Sequence, residues 1–180
     1  YCYSRGNNPT TQILEGKLAA LDKGEACRIF ASGMGAVSAT FLSFLQSGDH
    51  VVVLNKVYGP TYDYLNLLQK YGITYDLLDA SQADKIEEYI KPNTKVIYTE
   101  SPGTMTFQLI DLKKIAEIAK KHKLISIIDN TCLTALLQKP LQLGFDIAIY
   151  SLSKYTGGHS DVLAGAVVAS KNLMAAIDKY

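Results

Sequence analysis

The densest polar stretch of the chain is Ser151–Leu152–Ser153–Lys154–Tyr155–Thr156–Gly157–Gly158–His159. Two hydroxyls at i and i+2 followed by a lysine suit an anion beside a reactive amine. Glycines after the lysine and apolar chain on both sides place that amine for Schiff-base chemistry. A second candidate is Asp129, which follows the apolar pair Ile127–Ile128. A carboxylate at the end of a buried run needs a cationic or hydrogen-bonding partner. It serves either an Asx-turn or cap with Asn130, or a ligand group that must stay protonated. The third is Ser32–Gly33–Met34–Gly35. Backbone N–H groups at a helix start, with no bulky side chain at Gly33, make an anion cradle, although a glycine pair also permits tight helix–strand packing. A dinucleotide fingerprint does not fit, because Ser38 holds its third glycine position and no acidic residue ends the next strand at the required distance.

These groups act together only if the elements carrying them converge. Leu14, Leu18 and Leu21 mark a helix face after the turn Asn7–Asn8–Pro9–Thr10. A short run at 28–31 precedes a second helix running toward Leu45. Tyr62, Leu65 and Leu68 share a helical face closed by Gly72. Residues 84–90 predict a short helix stopped by Pro92, and Asp111 caps a helix whose face is Leu112, Ile115, Ala116 and Ala119. Runs at 50–54, 73–78, 95–99, 124–128, 147–150 and 162–169 read as strands. Their apolar residues are continuous rather than alternating, which predicts one α/β unit: a mostly parallel sheet with helices on both faces. Ligands bind such sheets beyond the carboxyl ends of the strands. Those ends hold Ser32–Gly33–Met34, 55–58, 100–104, 129–131 and 151–154. An anion cradle, a buried aspartate and an amine are what a pyridoxal phosphate site needs for the phosphate, the pyridine nitrogen and the aldehyde.

Composition removes several other classes. The 180 residues are 48% hydrophobic and 19% charged, and 18 basic against 17 acidic side chains leave a net charge of +1. No charge block suggests a nucleic-acid groove or a polybasic membrane patch. The longest apolar run, 162–169, is far short of a membrane span, and no signal-peptide pattern opens the chain. Cys2, Cys27 and Cys132 are widely spaced and odd in number. Reduced thiols in a cytoplasmic protein are expected rather than a zinc site or disulfide framework. His159 and Asp161 are expected to hold the loop around Lys154, and no metal is expected. Low charge with a mean hydropathy just above zero suggests surface covered by a partner, or a piece of something larger.

The motifs also form a recognisable set. Tyr3–Ser4–Arg5, Asn8–Pro9–Thr10, Ser32–Gly33–Met34, Gly48–Asp49–His50, Tyr58–Gly59–Pro60–Thr61, Glu100–Ser101–Pro102, Asp129–Asn130–Thr131 and Ser151-x-Ser153–Lys154–Tyr155 with Gly158–His159–Ser160–Asp161 resemble, in order and spacing, the Cys/Met-metabolism family of pyridoxal-phosphate enzymes. That family includes cystathionine β-lyases, cystathionine γ-lyases, cystathionine γ-synthases, methionine γ-lyases and O-acylhomoserine sulfhydrylases. The resemblance covers essentially the whole chain. It implies the PLP-dependent transferase fold (aspartate aminotransferase-like, fold type I), with residues 1–180 forming most of the cofactor-binding large domain and the C-terminal substrate domain absent.

The resemblance also implies roles. Lys154 would carry pyridoxal 5′-phosphate and act as the catalytic base. Asp129 would hold the pyridine nitrogen protonated, with Thr131 beside it in the cofactor site. Gly33 and Met34 would bind the phosphate through backbone N–H groups, helped by the Ser151 and Ser153 hydroxyls. Tyr58 would stack on the ring and act near the substrate amine. Tyr3 and Arg5 would reach into a neighbouring subunit and bind its cofactor phosphate, within a homotetramer. Cys132 stands where the family commonly has an aromatic residue. The Glu100–Thr104 loop and Tyr58–Gly59–Pro60–Thr61 look like the bacterial cystathionine β-lyase branch, which implies β-elimination of cystathionine to homocysteine, pyruvate and ammonia. A γ-synthase, a γ-lyase or a methionine γ-lyase remains the alternative, and a non-catalytic scaffold the second. The family's substrate-carboxylate arginine has no counterpart here: the only arginines are Arg5 and Arg28.

Overall fold

Seven strands and six α-helices alternate along residues 3–4 and 8–179, which the computed structural model describes. Helix α1 (Pro9–Asp22) begins where the Asn8 side-chain oxygen accepts the Thr11 N–H at 2.9 Å and Pro9 supplies its fixed φ. There follow β1 (Ala26–Phe30), α2 (Gly33–Phe44), β2 (His50–Leu54), α3 (Gly59–Gln69), β3 (Thr74–Leu78) and β4 (Thr94–Glu100). Then come α4 (Leu112–Lys121), β5 (Ile125–Asp129), α5 (Thr134–Leu137), β6 (Ile147–Ser151), β7 (Gly165–Ala169) and α6 (Lys171–Ile177). Asp111 caps α4 as expected, accepting the Lys114 N–H at 3.1 Å.

All seven strands form one sheet in the order β1-β7-β6-β5-β4-β2-β3. Strands β2 to β6 are mutually parallel, whereas β7 runs antiparallel to both β6 and β1. Side chains alternate between two apolar layers. Val52, Leu54, Ile97, Ile128 and Ala148 face α1 and α4. Val51, Val53, Val96, Ile127 and Ile149 face α2, α3 and α6. Burial on both faces explains why the runs are continuous in sequence. The fold is therefore the expected α/β unit with a mostly parallel sheet and helices on both faces.

Three expectations change. The last strand begins at Gly165, and Val162 and Leu163 are 47% and 75% exposed. A continuous apolar run cannot separate strand from the loop leading into it. Residues 80–89 form a 3₁₀ stretch, longer than the short helix expected at 84–90. Helix α1 is rolled away from its leucine stripe: Leu14 and Leu21 stay largely outside, while Glu15, Ala19 and Asp22 are buried. The reason is polar. β1 lies at the sheet edge, and the Glu15 carboxylate accepts the Ile29 N–H and the Arg28 Nη1, each at 3.1 Å. An unpaired edge amide recruits the acceptor, and the acceptor sets the helix face.

Candidate active site

The parallel strands place Glu100, Asp129 and Ser151 at one edge of the sheet, with Glu100 and Asp129 as register partners on β4 and β5. Because β7 is antiparallel, its first residue, Gly165, comes to the same edge and pairs with both Phe30 and Ser151. A cavity of about 390 Å³ opens there, within the range of small-molecule sites. Gly33, Met34, Tyr58, Asp129, Thr131, Ser151, Ser153 and Lys154 all line it. The described residues singled out from sequence thus meet at one place, with one exception. Tyr3 is 65% exposed and does not line the cavity, and Arg5 and Cys2 lie outside the described residues.

The cradle is built by close approach. Ser32 caps α2 by accepting the Gly35 N–H at 2.9 Å, and its carbonyl accepts the Ala36 N–H. No acceptor among the described residues takes the N–H of Gly33 or Met34. A Cβ at Gly33 would stand 2.8 Å from the Ser151 Cβ and 2.9 Å from its Oγ. A Cβ at Gly165 would meet the Ser32 carbonyl oxygen at 2.2 Å. Glycines here leave free donors at a helix N-terminus, which suits a phosphate.

Asp129 is half-buried, and its Oδ1 accepts the Thr131 N–H at 3.0 Å. Burial raises its carboxyl above the ordinary value, and hydrogen bonds from the Thr131 backbone and side chain oppose this. A carboxylate at this edge of the cavity fits a cationic N–H such as a pyridinium. The Thr131 hydroxyl accepts the Ser151 N–H at 2.7 Å and ties β5 to β6. The Ser153 hydroxyl is already engaged: it accepts the Ala164 N–H at 3.0 Å and donates to the Ala164 carbonyl at 3.3 Å. Lys154 sits exposed in a π-type turn after β6, held by Gly157 N–H to Leu152 O at 2.9 Å and Gly158 N–H to Lys154 O at 2.8 Å. His159 bonds the Gly157 carbonyl within that loop at 2.9 Å, and Asp161 is exposed. Cys132 lines the cavity as a half-buried thiol.

Several supporting residues had no role assigned from the sequence, although Asn55, Glu100 and Asn130 lie in strand ends marked there. Asn55, buried with φ 75°, donates to the carbonyls of Glu100 at 2.8 Å and Gln108 at 3.1 Å. Glu100 itself lines the cavity and accepts the Tyr58 N–H at 2.6 Å. Behind Asp129, the Asn130 amide donates to the carbonyls of Thr134 and Gln138 and to the Tyr150 hydroxyl. Tyr150 in turn donates to Asp22 at 2.7 Å. Arg28 is committed elsewhere, paired with Asp178 at 2.6 Å and Glu15 at 3.1 Å. Among the described residues no cluster of three or more His, Cys, Asp or Glu could hold a metal.

A sheet edge combining a helix start with free N–H donors, an aspartate and a lysine fits the site of a pyridoxal-phosphate-dependent protein of the α/β class. The match is specific: residues 1–179 fit the Cys/Met metabolism PLP-dependent enzyme family, and the chain belongs to that family. It is 42% identical over 175 residues to L-methionine gamma-lyase of Fusobacterium nucleatum subsp. polymorphum, covering 96% of this chain and 44% of that protein. It is 46% identical over 175 residues to cystathionine gamma-lyase of Bacillus subtilis, covering 96% and 46%. The structure matches cystathionine gamma-lyase of Lactobacillus plantarum, solved with L-serine, with a TM-score of 0.95 and 41% identity over 99% of this chain and 47% of that one. The chain therefore spans less than half the length of the curated relatives it matches.

Proposed function

We propose that this chain is most of the cofactor-binding domain of a carbon–sulfur lyase that cleaves cystathionine by β-elimination to homocysteine, pyruvate and ammonia. The observation that carries the lyase reading is the joint placement of Gly33, Asp129 and Lys154 around one cavity. When bound there, pyridoxal phosphate supplies the electron sink for charge developing at the substrate Cα. The backbone N–H groups of Gly33 and Met34 and the Ser151 hydroxyl would hold its phosphate. The Asp129 carboxylate would keep the ring nitrogen protonated. Tyr58 would stack on the ring. The Lys154 amine takes the proton from the substrate Cα, which drives departure of the thiolate from Cβ. The substrate-carboxylate arginine and the second domain lie outside this chain. Tyr3 and Arg5 complete a neighbouring site in a self-associated, homotetrameric enzyme.

The β-assignment rests on Gly103–Thr104–Met105–Thr106, which stands where many γ-acting members carry x–Asn–Pro, and on Tyr58–Gly59–Pro60–Thr61. Relatives named as γ-lyases, at 42% and 46% identity, stand beside relatives named as cystathionine β-lyases at 42%, so the second reading is γ-elimination, in which Lys154 also takes a Cβ proton. The deciding assay gives cystathionine to the full-length enzyme and separates pyruvate from 2-oxobutyrate. Pyruvate is expected, and dominant 2-oxobutyrate would sink the β-lyase reading. Lys154→Ala should abolish the visible absorbance of covalently held cofactor, and survival of that band would remove Lys154 from its role.

A further inference from the structure

Two carboxylates line the cavity among the described residues, and only Asp129 has a part in the proposed chemistry. The other, Glu100, is 6% exposed at the end of β4. It is paired in register with Asp129 on the neighbouring parallel strand, so both side chains project from the same face of the sheet, about 5 Å apart at the backbone. Its Oε1 accepts the Tyr58 N–H at 2.6 Å, and its Oε2 is hydrogen-bonded to the Thr104 hydroxyl. Its carbonyl accepts the Asn55 amide at 2.8 Å. One buried carboxyl thus joins the start of α3 to the loop after β4, directly beside the group expected to face the cofactor ring.

We infer that Glu100 is a positioning residue that fixes where the cofactor ring lies, acting through Tyr58 on one side and Asp129 on the other. The inference rests on the pyridoxal phosphate reading of the cavity. The Tyr58 ring is 45% exposed, so packing alone does not hold it, and its backbone anchor sets its reach. Burial and the nearby Asp129 push the Glu100 carboxyl up to about 8, against its hydrogen bonds to Thr104 and the Tyr58 N–H, so near neutrality it keeps its proton. The Tyr98 phenol, from Glu100's own strand, is raised mainly by burial and also by Asp129 and Glu100, while Tyr58 and Lys154 line the same cavity. A protonated carboxyl accepts at one oxygen and donates at the other, and a glutamine amide does the same.

The test titrates the full-length protein, stripped of cofactor, with pyridoxal phosphate. It reads the dissociation constant and the visible circular dichroism of the bound ring, alongside the thermal midpoint of the cofactor-free form. Glu100→Gln should bind within about threefold of the parent and keep the dichroic band. Glu100→Ala should bind at least about tenfold more weakly, the loss expected for removing a buried hydrogen-bonding partner, and lose most of the band. Thr104→Val, which removes one contact only, should fall between them and serves if Glu100→Ala does not fold. Parent-like binding and dichroism in Glu100→Ala would overturn the inference. So would a Gln variant as defective as the Ala variant, or a parent-like Thr104→Val if Glu100→Ala does not fold. A parent protein that gives no visible band would instead overturn the underlying reading of the cavity.

Discussion

Asp22 shows how much a single buried group can decide. It is fully buried under α1, with Oδ2 accepting the Tyr150 hydroxyl and Oδ1 without a partner. Burial raises its carboxyl from 3.8 to about 6, against the Tyr150 hydrogen bond and the Lys139 charge. The folded chain therefore binds this proton more tightly than the unfolded chain does. Its contribution to stability is full below the unfolded value and is lost as pH rises through about 6. Asp22→Asn should flatten that decline. Urea midpoints measured below about pH 4 and above about pH 7 check this, and an unchanged difference between the two would count against it. Asp22 was not legible in the sequence, and Glu100 stood out there only within a family motif and a strand-end loop, with no role of its own. Asp22 looks like an ordinary last-turn helix residue, and its partner Tyr150 is far along the chain. Glu100 acquires its meaning from strand register with Asp129, which spacing does not reveal. Gly33, Asp129 and Lys154 stood out because each lies within four residues of the end of an apolar run and differs from it in chemistry.

At the level of elements, strand positions were readable but strand direction was not. The apolar run before Ala169 carries no mark that β7 is antiparallel, yet that reversal brings Gly165 against the Ser32–Gly33 turn. Gly165→Ala would set a Cβ 2.9 Å from the Gly33 Cα as well as against the Ser32 carbonyl. Because both are backbone atoms, relief requires moving the cradle. The variant should lose about 1–3 kcal/mol of stability and bind pyridoxal phosphate more weakly. Denaturation and an absorbance titration measure the two effects, and parent-like values in both would refute the assignment. The roll of α1 was hidden for a related reason: its leucines advertise a face that the Ile29 amide overrules. Glu15→Ala should cost about 1–3 kcal/mol by denaturant unfolding, whereas Leu14→Ala, on the outer side, should cost far less. The reverse order would restore the leucine stripe as the packed face.

For the whole molecule, the notable surface is apolar. Leu21 at the end of α1 and Leu136 and Leu137 on the α5 it packs against are 38%, 71% and 80% exposed. Isolated exposed apolar residues are ordinary, but a grouped set marks a surface that something covers. If the proposed self-association uses this surface, its cover would be consistent with the low charge of the chain. Replacing Leu136 and Leu137 together by Asp should lower the sedimentation coefficient of the full-length protein. An unchanged assembly would place the subunit contact elsewhere.

The antiparallel return of β7 also imposes an order on synthesis. Among the described residues, strand β1 pairs only with β7, Ala26 with Ala169 and Phe30 with Gly165. A ribosome therefore releases β1 long before this neighbour exists. Strands β2 to β6 can zip side by side as they emerge, but β1 must wait, which is the kind of distant pairing that slows folding. The Ser32–Gly33 turn, which is seated on Gly165 and Ser151, is thus the last part of this edge to reach its final packing, when β7 closes the sheet.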